Sequence, residues 1–246
     1  MKQYDLAILG GGPGGYVAEI RAAQLGLTTA IIDQDKLGGI CLNWGCIPTK
    51  ALLKNAEVLD TVKNAKNFGI NIPSYKVDFA KIIRRSRQIS ERLSKGIDFL
   101  MKKNNITHII GRGSFIAENK IEVKNGRKQV AVQAKHFIIA TGGRPKVYPG
   151  MDFDDNQVIS SKEAMILNQP PEEMVIVGAG AIGAEFAYFY NSYGTKVTLL
   201  EMMDRVLPME DEEVSKELEE NFIKIGIAVH TSTTVEKIET LKTKVK

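Results

Sequence analysis

Cys41 and Cys46 are the only cysteines in 246 residues, and they stand together in Gly38-Gly39-Ile40-Cys41-Leu42-Asn43-Trp44-Gly45-Cys46-Ile47-Pro48-Thr49-Lys50. Three chemistries compete for such a pair. A zinc site needs further Cys or His ligands, but His108, His136 and His230 lie far away in sequence and off ligand spacing, so no metal site is expected. Two buried structural cysteines would act as small hydrophobes, and a disulfide across so short a loop adds little chain-entropy stabilisation. The third chemistry is a redox dithiol. A thiol at the entrance of a helix meets the helix dipole and unpaired backbone N–H groups, which favour the thiolate needed for exchange. The segment that follows reads as such a helix, from about Gly45 to Lys66.

The upstream elements strengthen the redox reading. Tyr4–Leu9 is a short apolar strand that enters Gly10-Gly11-Gly12-Pro13-Gly14-Gly15, and a helical pattern runs from Tyr16 to Leu25 until Gly26 stops it. Strand Thr29–Ile32 follows and ends in Asp33, 23 residues after Gly10. Gly10, Gly12 and Gly15 satisfy G-x-G-x-x-G between a strand and a helix, with an acid at the end of the next strand. This is a dinucleotide fingerprint: the first glycine turns, the second admits a pyrophosphate, the third lets helix and strand pack, and the acid accepts from a ribose.

The fingerprint recurs. Strand Met174–Val177 leads into Gly178-Ala179-Gly180-Ala181-Ile182-Gly183, then a helix Ala184–Tyr193 stopped by Gly194, then strand Lys196–Leu200 ending in Glu201. Two fingerprints imply two dinucleotides. An acid at Glu201 repels a 2′-phosphate, and Met202, Met203 and Asp204 bring no positive charge before Arg205, which favours NAD over NADP.

With these residues in place the sequence resembles the FAD-dependent pyridine nucleotide–disulfide oxidoreductases, and within them the dihydrolipoamide dehydrogenase branch. The likeness covers almost the whole chain: Gly10–Gly15, Leu37–Leu53, Gly111–Phe115, Ile138–Pro145, Val177–Phe186 and Leu199–Pro208. Leu-Asn-x-Gly-Cys-Ile-Pro is closer to the lipoamide branch than to the glutathione or mercuric branches, whose reductases remain the alternative. The resemblance implies that Cys41 is the exposed thiol exchanging with a substrate disulfide and that Cys46 lies against the flavin. It implies that Lys50, one helical turn after Cys46, stands beside the flavin and pairs with Glu185. It assigns FAD to Gly10, Gly12, Gly14, Gly15, Asp33, Gly39, Lys50, Gly113, Thr141 and Gly142. NAD falls to Gly178, Gly180, Ile182, Gly183, Glu201 and Val235. Asp33 stands where the family more often has Glu.

The fold class expected is α/β: two Rossmann-like dinucleotide-binding domains, one for FAD and one for NAD, each a parallel sheet with helices, plus a small antiparallel β element. The first spans 1–147 and the second 148–246, with Pro145, Pro149 and Gly150 at the boundary. Further elements follow from pattern: a helix Asp78–Lys103 with apolar stripe Ile82, Ile89, Leu93, Ile97 and Leu100, a strand Ile106–Ile110, a hairpin at Asn125-Gly126, and a strand His136–Ala140. A capping-type start lies at Ser160–Glu163. Beyond it come a helix Asp211–Lys224, a strand Ile227–Thr231 and a strand near Thr234–Ile238.

A net charge of +4 with 25% charged residues is ordinary and argues against a nucleic-acid partner. The densest basic cluster, Arg84, Arg85 and Arg87, reads as a solvated helix face. No apolar run approaches the roughly 20 residues of a membrane span. The first strand begins within a few residues of Met1, so a cytoplasmic setting without a signal peptide is expected. The resemblance implies a partner in the lipoyl domain of a 2-oxo acid dehydrogenase complex acyltransferase, and a homodimer in the intact family. It also implies an interface domain with a catalytic His-Glu pair beyond residue 246, which His230 in its strand does not replace. The chain is then an N-terminal half with little turnover alone, or a catalytically silent nucleotide-binding half.

Overall fold

The computed structural model describes residues 3–147, 150–242 and 244–246; Pro149, an expected boundary mark, lies outside the described residues. The elements follow one another as β1 (Gln3–Leu9), α1 (Pro13–Gln24), β2 (Thr29–Asp33), α2 (Gly39–Trp44), α3 (Cys46–Lys63) and α4 (Phe79–Lys103). A run of strands comes next: β3 (Thr107–Ile110), β4 (Arg112–Ala117), β5 (Lys120–Asn125) and β6 (Lys128–Ile139). Then come α5 (Ser161–Ala164), β7 (Glu173–Val177), α6 (Ala181–Ser192), β8 (Lys196–Leu200), α7 (Glu212–Lys224) and β9 (Ala228–His230). The chain divides into two compact units. One takes in the chain up to Pro48 with Arg87–Arg144, the other Thr49–Ser86 with the chain from Pro145 on.

The first unit is built on a six-stranded sheet of order β3-β2-β1-β6-β5-β4. β3, β2, β1 and β6 are parallel, while β6, β5 and β4 form the antiparallel element. The β5–β6 hairpin turns where expected, with Gly126 at φ +58° after Asn125. Leu6–Leu9 of β1 and Ala30–Ile32 of β2 are continuous apolar runs because both sheet faces are covered there. Tyr4, Ala7, Leu9, Ala30 and Ile32 pack on one face with Ile121 and Val132. Leu6, Ile8 and Ile31 pack on the other with Ala22, Leu42, Ile97 and Met101.

Helix α4 corrects the expected stripe. The buried positions are Phe79, Ile83, Ser86, Ser90, Ser94, Ile97 and Met101, whereas Leu93 and Leu100 are exposed. Three serines occupy the buried face. Ser86 and Ser94 satisfy their hydroxyls on the carbonyls of Ile83 and Leu37, which lets small polar side chains stand where an apolar pattern search finds nothing.

The second unit carries a parallel sheet of order β7-β8-β9. Its core gathers Phe79, Phe186, Phe189 and Tyr190 over Val197 and Leu199, with Ala164 and Met165 at one end. Phe189 meets Tyr190 edge-on with centroids 5.0 Å apart, and the buried Tyr190 hydroxyl donates to the Ala164 carbonyl. The capping box at Ser160 and Glu163 forms as expected. The strand expected near Thr234–Ile238 does not form; the segment is irregular. Val235 and Ile238 are three residues apart, so an extended chain would turn them to opposite faces.

Within α1, Glu19 is fully buried and neither carboxylate oxygen has a hydrogen-bond partner. Burial pushes its pKa up to about 7, against a small downward pull from the nearby Thr29 hydroxyl. The folded pKa lies above the unfolded one, so the native state holds this proton more tightly. Stability should therefore fall as pH rises from about 4.5 to 7, by about 3 kcal/mol in all. Glu19→Gln should remove that slope and raise the thermal midpoint at pH 8 while leaving it nearly unchanged at pH 5. Parallel melting profiles for the two chains between pH 5 and 8 would contradict the assignment.

Candidate dinucleotide and dithiol sites

Three segments converge at the end of β1. Gly10 takes φ +103°, and a Cβ there would stand 2.1 Å from the Ala140 carbonyl oxygen, so the end of β6 lies against the glycine turn. A Cβ on Gly39 would stand 2.6 Å from the Gly12 Cα, and the Gly38 N–H donates to the Gly11 carbonyl at 2.8 Å. The turn, the approach to the cysteines and Ala140–Thr141 are thus packed together without side chains between them. Gly15 is fixed by sterics: its Cβ would fall 1.8 Å from the Gly10 carbonyl oxygen. Gly12 and Gly14 are open, their nearest atoms being 3.7 Å away. Gly12 is the N-cap of α1 and offers no side-chain cap. An uncapped helix N-terminus beside an open glycine fits a pyrophosphate.

Asp33 closes the turn. One carboxylate oxygen accepts from the Gly11 N–H and the other from the Asp35 N–H at 2.8 Å. A carboxylate has about four acceptor positions, so both oxygens retain capacity for a ribose hydroxyl. Gly113 sits in β4, where a Cβ would press on Ile32 and Ile121 at 3.3 Å. Thr141 and Gly142 are exposed just beyond β6.

The second turn repeats the first. Gly178 takes φ +103°, the same as Gly10, and a Cβ on Gly183 would stand 1.9 Å from the Gly178 carbonyl oxygen. Gly180, the N-cap of α6, has no side-chain cap, and a Cβ on it would meet nothing within 4 Å. The buried Glu201 accepts from the Ala179 N–H at 2.7 Å and the Met203 N–H at 2.9 Å. Asp33 and Glu201 therefore do the same structural work 22 residues after the N–H they hold. Ile182 projects from α6 with 60% exposure, and Val235 is half-buried in the irregular segment.

The cysteines fall on two helices rather than at the head of one. Cys41 lies within α2, Cys46 is the first residue of α3, and Gly45 joins them. Cys41 is half-buried, and Cys46, the thiol expected to face the flavin, is exposed. In the second unit, the Lys50 ammonium meets a carboxylate oxygen of Glu185, the pairing expected.

Arg87 is the residue that the solvated-face reading missed. It is half-buried, its guanidinium stacks on Trp44, and it donates to the Asn43 carbonyl. Arg84, by contrast, is exposed and pairs loosely with Asp78. The available signal was the position of Arg87 one residue after the buried Ser86, beside a lone tryptophan in the cysteine segment.

Comparison with known proteins agrees with this geometry. Residues 4–246 match a family model described as pyridine nucleotide-disulphide oxidoreductase. A dihydrolipoyl dehydrogenase of Chlorobaculum tepidum is 44% identical over 96% of the chain and 50% of its own length. One from Mycobacterium leprae is 47% identical over 97% of the chain and 52% of its own length. Among solved structures, LpdA from Mycobacterium tuberculosis superposes with a TM-score of 0.91 at 26% identity, covering all of this chain and 54% of that one. The Cu(II) complex of the HOCl-induced flavoprotein disulfide reductase RclA from Escherichia coli gives 0.85 at 26% identity, covering all of this chain and 53% of that one. The chain spans about half the length of the curated relatives it matches.

Proposed function

The chain belongs to the pyridine nucleotide-disulphide oxidoreductases, enzymes that work with a flavin and a pyridine nucleotide, and from that premise we propose that it is the FAD- and NAD-binding part of a dihydrolipoyl dehydrogenase. One observation carries the reading: the same glycine turn occurs twice, and the two cysteines follow directly from a Gly38–Gly39 segment packed on the first of them.

We assign 1–147 to FAD and 148–246 to NAD. FAD would be held by Gly10, Gly12, Gly14, Gly15, Asp33, Gly39, Gly113, Thr141 and Gly142, with Lys50 as a cation beside it. NAD would be held by Gly178, Gly180, Ile182, Gly183, Glu201 and Val235. Bound there, FAD supplies a two-electron relay between a dithiol and a nicotinamide. The protein's own step is thiol–disulfide exchange. One thiolate of dihydrolipoamide attacks the Cys41 sulfur, the Cys41–Cys46 bond breaks, and Cys46 leaves as a thiolate. The second substrate thiolate then attacks the substrate sulfur now bonded to Cys41, closing lipoamide and releasing Cys41. The substrate loses two protons and two electrons, and the cysteine pair gains the electrons.

The dithiol would arrive on a lipoyl domain of a 2-oxo acid dehydrogenase complex acyltransferase, in the cytoplasm, with the enzyme acting as a homodimer. The relatives' name, dihydrolipoyl dehydrogenase, supports that partner. No helix of the described residues is long and apolar enough to cross a membrane.

NAD is preferred because the Glu201 carboxylate, held in place by two N–H groups, leaves no room for a 2′-phosphate charge. With FAD in excess, the chain should reduce an artificial dye with NADH more than tenfold faster than with NADPH. Equal rates, or no rate with either at saturating FAD, would contradict the reading.

A further inference from the structure

The six residues of α2, which carry Cys41, are too few to hold a helix unaided. They are gripped from α4 by two side chains seven residues apart, on one face of that helix. Ser94 donates to the Leu37 carbonyl at 2.9 Å, ahead of α2. Arg87 takes the other end: its guanidinium carbon is 4.6 Å from the centroid of the Trp44 ring, and its Nη2 donates to the Asn43 carbonyl. Asn43 is itself buried and donates to the carbonyls of Leu37 and Gly39, each at 3.1 Å. Burial lowers the Arg87 pKa from its ordinary value, yet a guanidinium keeps its charge, and both the stack and the charged hydrogen bond strengthen as water is excluded.

What this grip holds is the step from α2 to α3. Gly45 alone joins the two helices, at φ −147° and ψ −119°. Its backbone folds so close to Cys41 that a Cβ would lie 3.3 Å from the Cys41 Cα. The relation between Cys41 and Cys46 is therefore decided at Trp44-Gly45, where Arg87 stacks.

We propose that Arg87 is a positioning residue for the Cys41–Cys46 pair, its grip on Asn43 and Trp44 holding the α2–α3 joint in the geometry from which the two sulfurs close a disulfide. The proposal rests on the dithiol reading of the pair. Loosening the joint lowers the effective concentration of one sulfur at the other, so the disulfide becomes easier to reduce.

The test is a redox titration of the purified chain in glutathione buffers at pH 7, scored by thiol count. On closing, the two cysteines lose two protons and two electrons, and one glutathione disulfide becomes two glutathione thiols. Arg87→Gln should lower the equilibrium constant for closure about tenfold, a rise of about 30 mV in reduction potential. Arg87→Lys, which keeps the charge but loses the planar fork, should lower it about threefold, and Trp44→Phe, which keeps a ring under the guanidinium, by less than twofold. Trp44 is the only tryptophan, so its emission adds a readout that a merely structural role would not move. Emission should follow the glutathione ratio with the thiol midpoint in the unsubstituted chain and cease to follow it in Arg87→Gln.

An unchanged constant in Arg87→Gln, with emission still tracking redox state, would overturn the proposal. Should circular dichroism show that variant unfolded, Arg87→Lys decides: a constant equal to that of the unsubstituted chain overturns it. If the unsubstituted chain closes no disulfide at any ratio, the dithiol reading itself fails and the proposal with it.

Discussion

A methyl group at Gly15 or Gly183 is expected to unseat its glycine turn and abolish binding of the matching dinucleotide, whereas a methyl group at Gly12 or Gly180 should leave the fold intact and weaken binding alone. The Cβ of Ala at position 15 would fall 1.8 Å from the Gly10 carbonyl oxygen, and at position 183 it would fall 1.9 Å from that of Gly178. Both obstacles are backbone, just after β1 and just after β7, so relief requires helix and strand to separate. Overpacking of this kind costs about 3 kcal/mol or more. Gly12 and Gly180 have extended backbones that any residue adopts, and a Cβ on them meets nothing closer than 3.7 Å at Gly12 and nothing within 4 Å at Gly180. Their stabilities, read from thermal melts, should stay within about 0.5 kcal/mol of the unsubstituted chain. Affinity should drop more than about tenfold, because a pyrophosphate must approach the backbone there. Thermal melts paired with titrations of FAD for 12 and 15 and of NADH for 180 and 183 separate the two classes. A Gly15→Ala chain that melts normally would refute the packing argument, and a Gly12→Ala chain that binds FAD normally would refute the placement of the pyrophosphate.

Cys41→Ser and Cys46→Ser should each abolish the low electron transfer to or from a dithiol substrate that the chain supports alone, while leaving NADH-dependent dye reduction within about twofold. A serine hydroxyl neither forms a disulfide nor leaves as a stabilised anion in exchange. The dye takes its electrons before the cysteines are reached. Parallel rates with lipoamide and with dye in each variant decide the point. Loss of both activities together would mean that the cysteines support cofactor binding rather than carry electrons. Retention of lipoamide reduction in either variant would remove the pair from the reaction.

The parts of this molecule that glycine dictates were legible in the sequence, because a G-x-G-x-x-G turn admits few alternatives at Gly10 and Gly15 or at Gly178 and Gly183. The acids at Asp33 and Glu201 could be placed by counting along the chain. Their backbone partners at Gly11 and Ala179 could not, since a ribose-binding acid and a turn-locking acid occupy the same position. The cysteine segment was legible in composition but not in shape. Gly45 reads as a helix start, and only the structure places a separate helical turn ahead of it. Arg87 was hidden by its neighbours Arg84 and Arg85, since charge runs usually mark a solvated face and the buried residues nearest it on α4, Ser86 and Ser90, are serines. Thr234–Ile238 misled because isolated apolar residues suggested a strand, yet Val235 and Ile238 would not share the face that a strand buries.

The measurement that tests the central claim most directly is a thiol count on the unsubstituted chain, oxidised beforehand and loaded with excess FAD, before and after anaerobic addition of NADH. If one chain holds a nicotinamide site, a flavin site and a connected dithiol, NADH should expose two new thiols per chain, and both Cys41 and Cys46 should be labelled. No new thiols in the presence of bound flavin that NADH reduces would contradict it.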